Sequence, residues 1–302
     1  MIYSSNYQEF QKLQNNQPAA VSKGAAASLY RSITMTNRKN WKCALSVGPA
    51  AMCDAEFEKL AEAGIEELEL SSGQADPYFS VLEYPKKAKL YSESAEKAGV
   101  KISSVHLPFA PFAEIDPAAL DGETRNKLID VQSLLIKAAA DAGIGIAVIH
   151  PSGEPYEESE RSERLRIACD TISKLTDTAI EAGMTLALEN LPRTCLCRSS
   201  DEMKYFLENI PDLRVCFDTN HNLREDNADF IRVVGNKIVT LHVSDYDFVD
   251  EKHWLPGKGK NDWAGILSAL EDVDYSGRFL YECGGAVKEY REIRENYNWL
   301  LG

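Results

Sequence analysis

The chain has 302 residues, and its 33 Lys and Arg stand against 47 Asp and Glu, which gives a net charge of −14. This acidity argues against a nucleic-acid-binding protein, because neutralising phosphates requires clustered Lys and Arg. There is no run of about 18 apolar residues, so we expect no membrane-spanning helix. The start, MIYSSNYQEFQKLQNNQ, lacks the apolar segment of a signal peptide.

The cysteines are scattered, odd in number and never spaced C-x-x-C, which is typical of free thiols in a reducing compartment and not of a disulfide framework. We therefore expect a cytoplasmic protein. The seven positions are Cys43, Cys53, Cys169, Cys195, Cys197, Cys216 and Cys283.

The first part of the chain, residues 1–40, is polar and rich in Gln, Asn, Ser and Ala, without a clear hydrophobic period. We interpret it as an N-terminal extension. From residue 41 to residue 302, short apolar runs alternate with longer amphipathic stretches, which predicts a single catalytic domain of alternating strands and helices.

At four places in this domain, an Ala-Gly pair follows a helix-like stretch and precedes a strand-like run. A glycine just past a helix end adopts the left-handed conformation that other residues resist. Each pair therefore predicts the end of a helix and the approach to a buried strand. The four glycines are Gly64, Gly99, Gly143 and Gly183.

Eight strands and eight helices follow from these patterns. The predicted strands are Lys42–Val47, Glu66–Leu70, Lys101–His106, Gly145–His150, Met184–Glu189, Leu213–Asp218, Lys237–Val243 and Arg278–Cys283. The predicted helices cover 54–63, 87–98, 122–142, 157–182, 199–208, 226–235, 262–271 and 286–300.

This count predicts an α/β fold, a (β/α)8 TIM barrel with an N-terminal extension. The alternative is an open doubly wound sheet. That fold would be expected to carry a Gly-rich phosphate-binding turn after its first strand, and Ser46-Val47-Gly48-Pro49 does not supply one.

The active site of such a barrel lies at the carboxyl ends of its strands. Of the five histidines, four lie at predicted strand ends and the fifth lies in the loop after strand 7; they are His106, His150, His221, His242 and His253.

Three carboxylates and one of these histidines end strands 5 to 8. Buried carboxylates that converge on one barrel mouth repel each other unless they are paired or bind a cation. A set of oxygen ligands with one nitrogen favours a divalent metal, Mn²⁺ above all, with Zn²⁺, Co²⁺ or Mg²⁺ also compatible. The alternative for each residue is a salt bridge to a Lys or Arg of the barrel. The predicted metal ligands are Glu189, Asp218, His242 and Glu282.

The combination of Glu189-Asn190, Asp218-Thr219-x-His221, His242 and Glu282 resembles the xylose isomerase-like TIM barrel superfamily, over about 42–300. This superfamily contains sugar and sugar-phosphate isomerases and epimerases, and also the zinc AP endonucleases. The resemblance to its ketose 3-epimerases implies that the four ligands hold one metal ion and that Glu189 and Glu282 also transfer a proton.

The resemblance further implies that His221 contacts the sugar oxygen at the reacting centre. It predicts a metal-dependent isomerase or epimerase of a small-molecule sugar or sugar phosphate, acting through a metal-stabilised enediolate. Ketose 3-epimerases usually carry an Arg shortly after the strand-7 histidine. Here Phe248 stands six residues on, and no Arg occurs between His242 and Arg278, so their substrate specificity is not carried over.

The remaining histidines leave alternatives open. We expect His106, His150, His253 and Lys258 to bind substrate. In the endonuclease-like branch, histidines at matching places bind additional zinc ions, so a zinc-dependent phosphodiesterase or AP endonuclease-like hydrolase is the second hypothesis. There the match is imperfect, because Glu251 stands where that branch has an Asp. A third hypothesis is a sugar-binding barrel without catalysis. Barrels of this kind often pair, and a homo-oligomer is compatible with the sequence.

Overall fold

The computed structural model describes residue 38 and residues 40–48, 51–71 and 77–302, with side chains described from residue 86 onward in the helix that begins at Pro77. The extension predicted over 1–40 lies outside the described residues, apart from Arg38 and Asn40. Arg38 donates from Nη2 to Oε2 of Glu271 at 2.7 Å. No helix in the described ranges is both long and apolar enough to cross a bilayer.

Within the described residues, eight strands alternate with eight helices. The strands are β1 (Lys42–Val47), β2 (Glu67–Ser71), β3 (Lys101–His106), β4 (Ile146–Ile149), β5 (Thr185–Glu189), β6 (Arg214–Asp218), β7 (Ile238–His242) and β8 (Arg278–Tyr281). The helices are α1 (Asp54–Glu62), α2 (Pro77–Ala98), α3 (Gly122–Asp141), α4 (Arg161–Glu181), α5 (Ser200–Asn209), α6 (Asn227–Val234), α7 (Trp263–Asp272) and α8 (Arg291–Leu301).

All strand pairs are parallel, in the order β7-β6-β5-β4-β3-β2-β1-β8. The two ends of this order meet just past β7 and β8. There Val243 donates from its N–H to the carbonyl of Leu280 at 2.8 Å, and Glu282 donates to the carbonyl of Val243 at 3.0 Å. These bonds complete the barrel, so the predicted TIM barrel is confirmed and the open sheet is excluded. Because every strand runs the same way, their carboxyl ends form one rim.

The four Ala-Gly signals are confirmed as helix ends. Gly64, Gly99, Gly143 and Gly183 have φ values of 82°, 92°, 79° and 76°. Each follows a helix and lies shortly before a strand, as the pattern predicts. The left-handed conformation reverses the direction of the chain at the amino-terminal rim of the barrel, so that the next strand runs back through the core.

Three helices begin at other positions than predicted. Helix α2 begins at Pro77 and not at residue 87, because the chain continues helically through Pro85. Helix α4 begins at Arg161, after a short 3₁₀ turn over Glu158–Glu160. Helix α8 begins at Arg291 and not at residue 286, since Val287 is extended with φ −117° and ψ 153°. The other boundaries lie within two residues of the predictions.

Candidate metal centre and active site

Four side chains from successive strands converge at the carboxyl rim. Glu189 ends β5, Asp218 ends β6, His242 ends β7, and Glu282 follows β8. One ligand atom from each lies within 4.8 Å of all the others. Nδ1 of His242 is 3.0 Å from Oε1 of Glu189, 3.9 Å from Oδ2 of Asp218 and 3.6 Å from Oε2 of Glu282. The structure therefore brings together the four residues that the sequence predicts as metal ligands.

The chemistry of this group fits a divalent cation. Oδ2 of Asp218 is buried and has no hydrogen-bond partner within the described residues. A buried carboxylate oxygen left unpaired is costly, and a cation in contact with it removes that cost. Three carboxylates and one imidazole nitrogen are a ligand set for Mn²⁺ or a similar ion. No Lys or Arg forms a salt bridge with any of the four, so the alternative of barrel salt bridges fails for the part of the chain that is described.

A fourth carboxylate, which the sequence analysis did not identify, contacts the histidine of this group. Oε1 of Glu69 on β2 lies 2.9 Å from Nε2 of His242, and both side chains have 0% exposure. Ser104 donates its hydroxyl to Oε2 of Glu69 at 2.9 Å. A neutral imidazole that donates its Nε2 proton to Glu69 presents a lone pair at Nδ1. Glu69 therefore selects the tautomer that a metal on the Nδ1 side requires.

Two further histidines contact the other oxygen of Glu189. Nε2 of His106 and Nε2 of His150 each lie 3.1 Å from Oε2 of Glu189. Nδ1 of His106 donates to the carbonyl of Leu107 at 2.8 Å, since a carbonyl can only accept. Phe109 stacks on the ring of His150 with a centroid distance of 4.5 Å. Both predicted substrate-binding histidines thus lie at the site, where they hold Glu189 in place.

His221 is engaged at both ring nitrogens. Its Nδ1 donates to the carbonyl of Asn190 at 2.9 Å, and its Nε2 lies 3.0 Å from Oε2 of Glu251. Burial lowers the pKa of His221, but the carboxylates of Asp218 and Glu251 outweigh it and raise the pKa to about 10. His221 is therefore an imidazolium at neutral pH.

Arg193 lines the cavity and holds Glu251, the partner of His221, through an ion pair. Its Nη1 lies 3.0 Å from Oε1 of Glu251 and 2.8 Å from Oδ1 of Asp250, and its Nε donates to Glu154 at 3.0 Å. Arg193 has φ 52°, a left-handed conformation that costs a non-glycine residue of order 1–3 kcal/mol. An arginine thus does reach the cavity, from the loop after β5, but carboxylates already occupy its donors.

The two remaining residues predicted to bind substrate, His253 and Lys258, lie in different places. His253 donates from Nδ1 to the backbone carbonyl of Glu282 at 3.0 Å, with its ring 6.1 Å from that of His221. Lys258 donates its backbone N–H to Leu255 in the turn after His253, and its side chain is exposed and lines neither cavity described below. The structure brings His253 to the site and leaves Lys258 outside it.

The two glutamates of the metal group differ in acidity. Burial opposes the ionisation of Glu189, but the surrounding histidines, His242 first among them, outweigh it and hold its pKa well below the usual range. Burial raises the pKa of Glu282 to about 7; His242 opposes this shift, and the charges of Glu189 and Asp218 add to it. In the metal-free site, the pKa of Glu189 thus lies below that of Glu282.

A cavity of about 120 Å³ opens onto this group. Its walls combine the charged site with aromatic and apolar side chains, among them Phe109, Phe112, His150, Leu191, Arg193 and His253. A concave site in which aromatic side chains lie beside convergent polar groups is typical of a small-molecule site.

Glu69 and Arg193 are the site residues that sequence reasoning missed, and Glu251 was noted only as an imperfect match. Glu69 lies inside a strand, and a search limited to strand ends overlooks it. A charged residue flanked by Leu68 and Leu70 in a buried strand is the signal that could have found it. Arg193 and Glu251 lie in loops, where no periodicity indicates direction.

The sequence profile of the xylose isomerase-like TIM barrel family matches residues 57–301. An uncharacterized protein of Methanocaldococcus jannaschii, MJ1311, is 24% identical over 87% of this chain and 95% of its own. A D-psicose 3-epimerase of Enterocloster bolteae is 28% identical, over 50% of this chain and 53% of its own, so that match spans about half of each protein.

A crystal structure of a D-tagatose 3-epimerase-like protein superposes with a TM-score of 0.72 at 24% identity and covers 85% of this chain and 96% of its own. Other similar proteins carry the names fructoselysine 3-epimerase and L-ribulose 3-epimerase. The barrel, the site at its carboxyl rim and the match over residues 57–301 place this chain in the xylose isomerase-like TIM barrel family.

Proposed function

We propose that the protein is a divalent-metal-dependent sugar epimerase or isomerase that moves a proton on a carbon next to a carbonyl group. The observation that carries this proposal is the convergence of Glu189, which ends β5, and Glu282, which follows β8, on the same nitrogen of His242. The sugar epimerases among the similar proteins support the same reaction class.

The metal is held, in this proposal, by Glu189, Asp218, His242 and Glu282. When bound, a divalent ion stabilises the negative charge that develops on the substrate oxygens as the carbon loses its proton. Glu69 fixes the orientation of His242. His106 and His150 fix Oε2 of Glu189, so the carboxylate cannot rotate away from the reacting carbon.

The two glutamates are the proton-transfer pair. Glu189, which three histidines hold in place, is suited to accept a proton, and Glu282, which has the higher pKa of the two in the metal-free site, is suited to return one. Two groups whose surroundings push their pKa values apart are the usual arrangement for acid and base in one site. Return of the proton to the same carbon gives epimerisation, and return to the neighbouring carbon gives aldose–ketose isomerisation.

His221 is proposed to bind a substrate oxygen through its Nε2 proton. Glu251 accepts that proton at present, so the oxygen must share it with Glu251 or displace that carboxylate. Glu251 lies on the loop after β7 and is 31% exposed, which leaves it room to move. Arg193 can then retain Glu251 through Oε1.

Exchange of solvent deuterium into a ketose tests this proposal. The full chain is loaded with Mn²⁺ and incubated in D₂O with a panel of free ketoses, and the proton on the carbon next to the carbonyl is followed by NMR. We expect metal-dependent exchange that a chelator abolishes. Absence of exchange over the whole panel, with metal bound and the fold intact, contradicts the proposal.

A second function has a specific observation in its favour. Besides the four-residue group, the described residues contain two further sets whose ligand atoms lie within 4.8 Å of one another: His106, Glu189 and His242, and then His221, Glu251 and His253. Three adjacent sets fit a zinc-dependent phosphodiesterase. The net charge of −14 opposes a polyanionic substrate. Cleavage of a model phosphodiester in the presence of Zn²⁺ tests this alternative.

A further inference from the structure

A second cavity shares Glu282 and His253 with the first. The inner cavity, which reaches Glu189, measures about 120 Å³. The outer cleft measures about 470 Å³ and is lined by Ser46, Lys252, Trp254, Cys283, Gly284 and Gly285. Glu282 and His253 line both, so the two spaces meet at the proposed acid–base group.

The inner cavity is too small for a whole hexose. A cavity of about 150 Å³ holds one benzene molecule, and a hexose has about twice as many non-hydrogen atoms. A substrate with its reacting carbon at Glu189 and Glu282 must therefore extend beyond the inner cavity. The outer cleft is larger and starts at Glu282 itself.

The outer cleft has the surface that a sugar ring requires. The side chain of Trp254 is partly exposed, and its backbone is fixed by two hydrogen bonds with Asp245, at 2.7 and 3.0 Å. A side chain at Gly285 would meet nothing within 4 Å, so the cleft has an open floor at this point. Lys252 adds an ammonium group whose nearest carboxylate oxygen, on Asp247, is 4.0 Å away. An aromatic side chain with a donor beside it can bind an uncharged, hydroxylated ring.

The charges around the cleft disfavour an anionic ligand. Glu282 lines the cleft, and Asp247 is the closest acidic partner of Lys252. One lysine beside two carboxylates does not form a site for a phosphate, because like charges at short range repel.

We infer that the outer cleft is a subsite for a second, uncharged sugar unit, and that the substrate is a ketose linked to such a unit. This inference rests on the proposed function for the place of the reacting ketose. In it, the ketose end enters the inner cavity and the attached ring packs against Trp254 above the floor at Gly285.

Equilibrium binding tests the inference without turnover. The full chain with Mn²⁺ is titrated calorimetrically with isomaltulose, a glucose linked to fructose, with D-fructose, and with fructose 6-phosphate. We expect isomaltulose to bind at least about ten-fold more tightly than fructose, and fructose 6-phosphate to gain no such advantage. Gly285→Phe fills the cleft, and Trp254→Ala removes the aromatic face. Each substitution should bring the ratio of the affinities for isomaltulose and fructose to about one.

Trp299→Ala is the matched control, because Trp299 is an exposed tryptophan that lines neither cavity, and it should keep the ratio. Equal affinities, a preference for the phosphate, no binding of isomaltulose, or a preference that survives Gly285→Phe would each overturn the inference. The deuterium-exchange assay distinguishes failure of the proposed function from failure of the subsite. A disaccharide preference without deuterium exchange overturns the catalytic proposal alone, and exchange without the preference overturns the subsite alone.

Discussion

Nε2 of His242 lies 2.9 Å from Oε1 of Glu69, while Nδ1 of the same ring faces Glu189, Asp218 and Glu282. The ring is thus oriented by a carboxylate from β2 on one nitrogen, and the other nitrogen is left for the metal group. The partners that orient a metal-binding histidine typically contribute 10–100-fold to metal affinity.

Replacement of Glu69 by Gln should weaken metal binding about 10–100-fold, because the amide no longer selects the Nε2-protonated tautomer of His242. Titration with Mn²⁺, followed by calorimetry, measures the change. Glu67→Gln is the matched control: it lies on the same strand and pairs with Arg278 at 2.9 Å, away from the site. Unchanged affinity in Glu69→Gln would remove Glu69 from the metal centre.

Replacement of Asp218 by Asn should raise the Tm of the metal-free protein and reduce the further increase in Tm that metal binding causes. The pKa of Asp218 is raised, first by burial, so the ionised carboxylate destabilises the fold at neutral pH. The amide removes that charge, and we expect the Tm in the presence of a chelator to rise. The increase in Tm on adding Mn²⁺ should shrink, because a ligand is lost. Thermal unfolding with and without Mn²⁺ measures both, and a variant that keeps the full metal-induced shift contradicts this role.

Glu189→Gln and Glu282→Gln should each reduce deuterium exchange by about 10²–10⁴-fold, the usual contribution of a general acid or base. Glu202→Gln provides a control, since Glu202 pairs with Arg161 outside the metal group. Circular dichroism checks that each variant folds. Full exchange in either active-site variant would contradict the assignment of the proton-transfer pair.

The pair of His221 and Glu251 should make stability depend on pH. The pKa of His221 is raised to about 10 in the folded protein. The ion pair therefore contributes its full stabilisation of the fold below pH 6.5, the ordinary pKa of histidine. This stabilisation is lost as the pH rises from 6.5 toward 10. Glu251→Gln removes the partner, and the variant should be less stable than the parent at pH 6. The difference in Tm should narrow toward pH 10. A difference that stays constant across this range would show that the ion pair makes no contribution.

Gly183 should tolerate no side chain without cost. It has φ 76°, and nothing lies within 4 Å of an added Cβ, so Gly183→Ala introduces backbone strain alone. We expect the free energy of unfolding to fall by about 1–2 kcal/mol. Gly145→Ala is the control, because it has equally open surroundings and no left-handed φ, and it should be neutral or stabilising. Chemical denaturation measures the free energy of unfolding of both variants. An equal change in the two would contradict the assignment of strain to Gly183.

The elements that the sequence predicts well are those governed by local chemistry. The glycines after the helices and the apolar strands locate the barrel, and the polar residues at strand ends locate Glu189, Asp218 and His242 on its rim. Residues held by long-range contacts escaped this reasoning. Glu69 meets His242 across a closed barrel, and Arg193 reaches Glu251 from a different loop. No local pattern encodes the closure of a barrel or the path of a loop.

The number of metal ions bound per chain tests the central claim most directly. The full chain, purified without added ions and then equilibrated with a mixture of Mn²⁺ and Zn²⁺, is analysed for its elements. The account predicts about one equivalent of a divalent metal per chain, and a loss of that metal in Asp218→Asn. Two or three equivalents of zinc would move His106, His221 and His253 into direct contact with metal and favour the hydrolase. No bound metal would contradict the account as a whole.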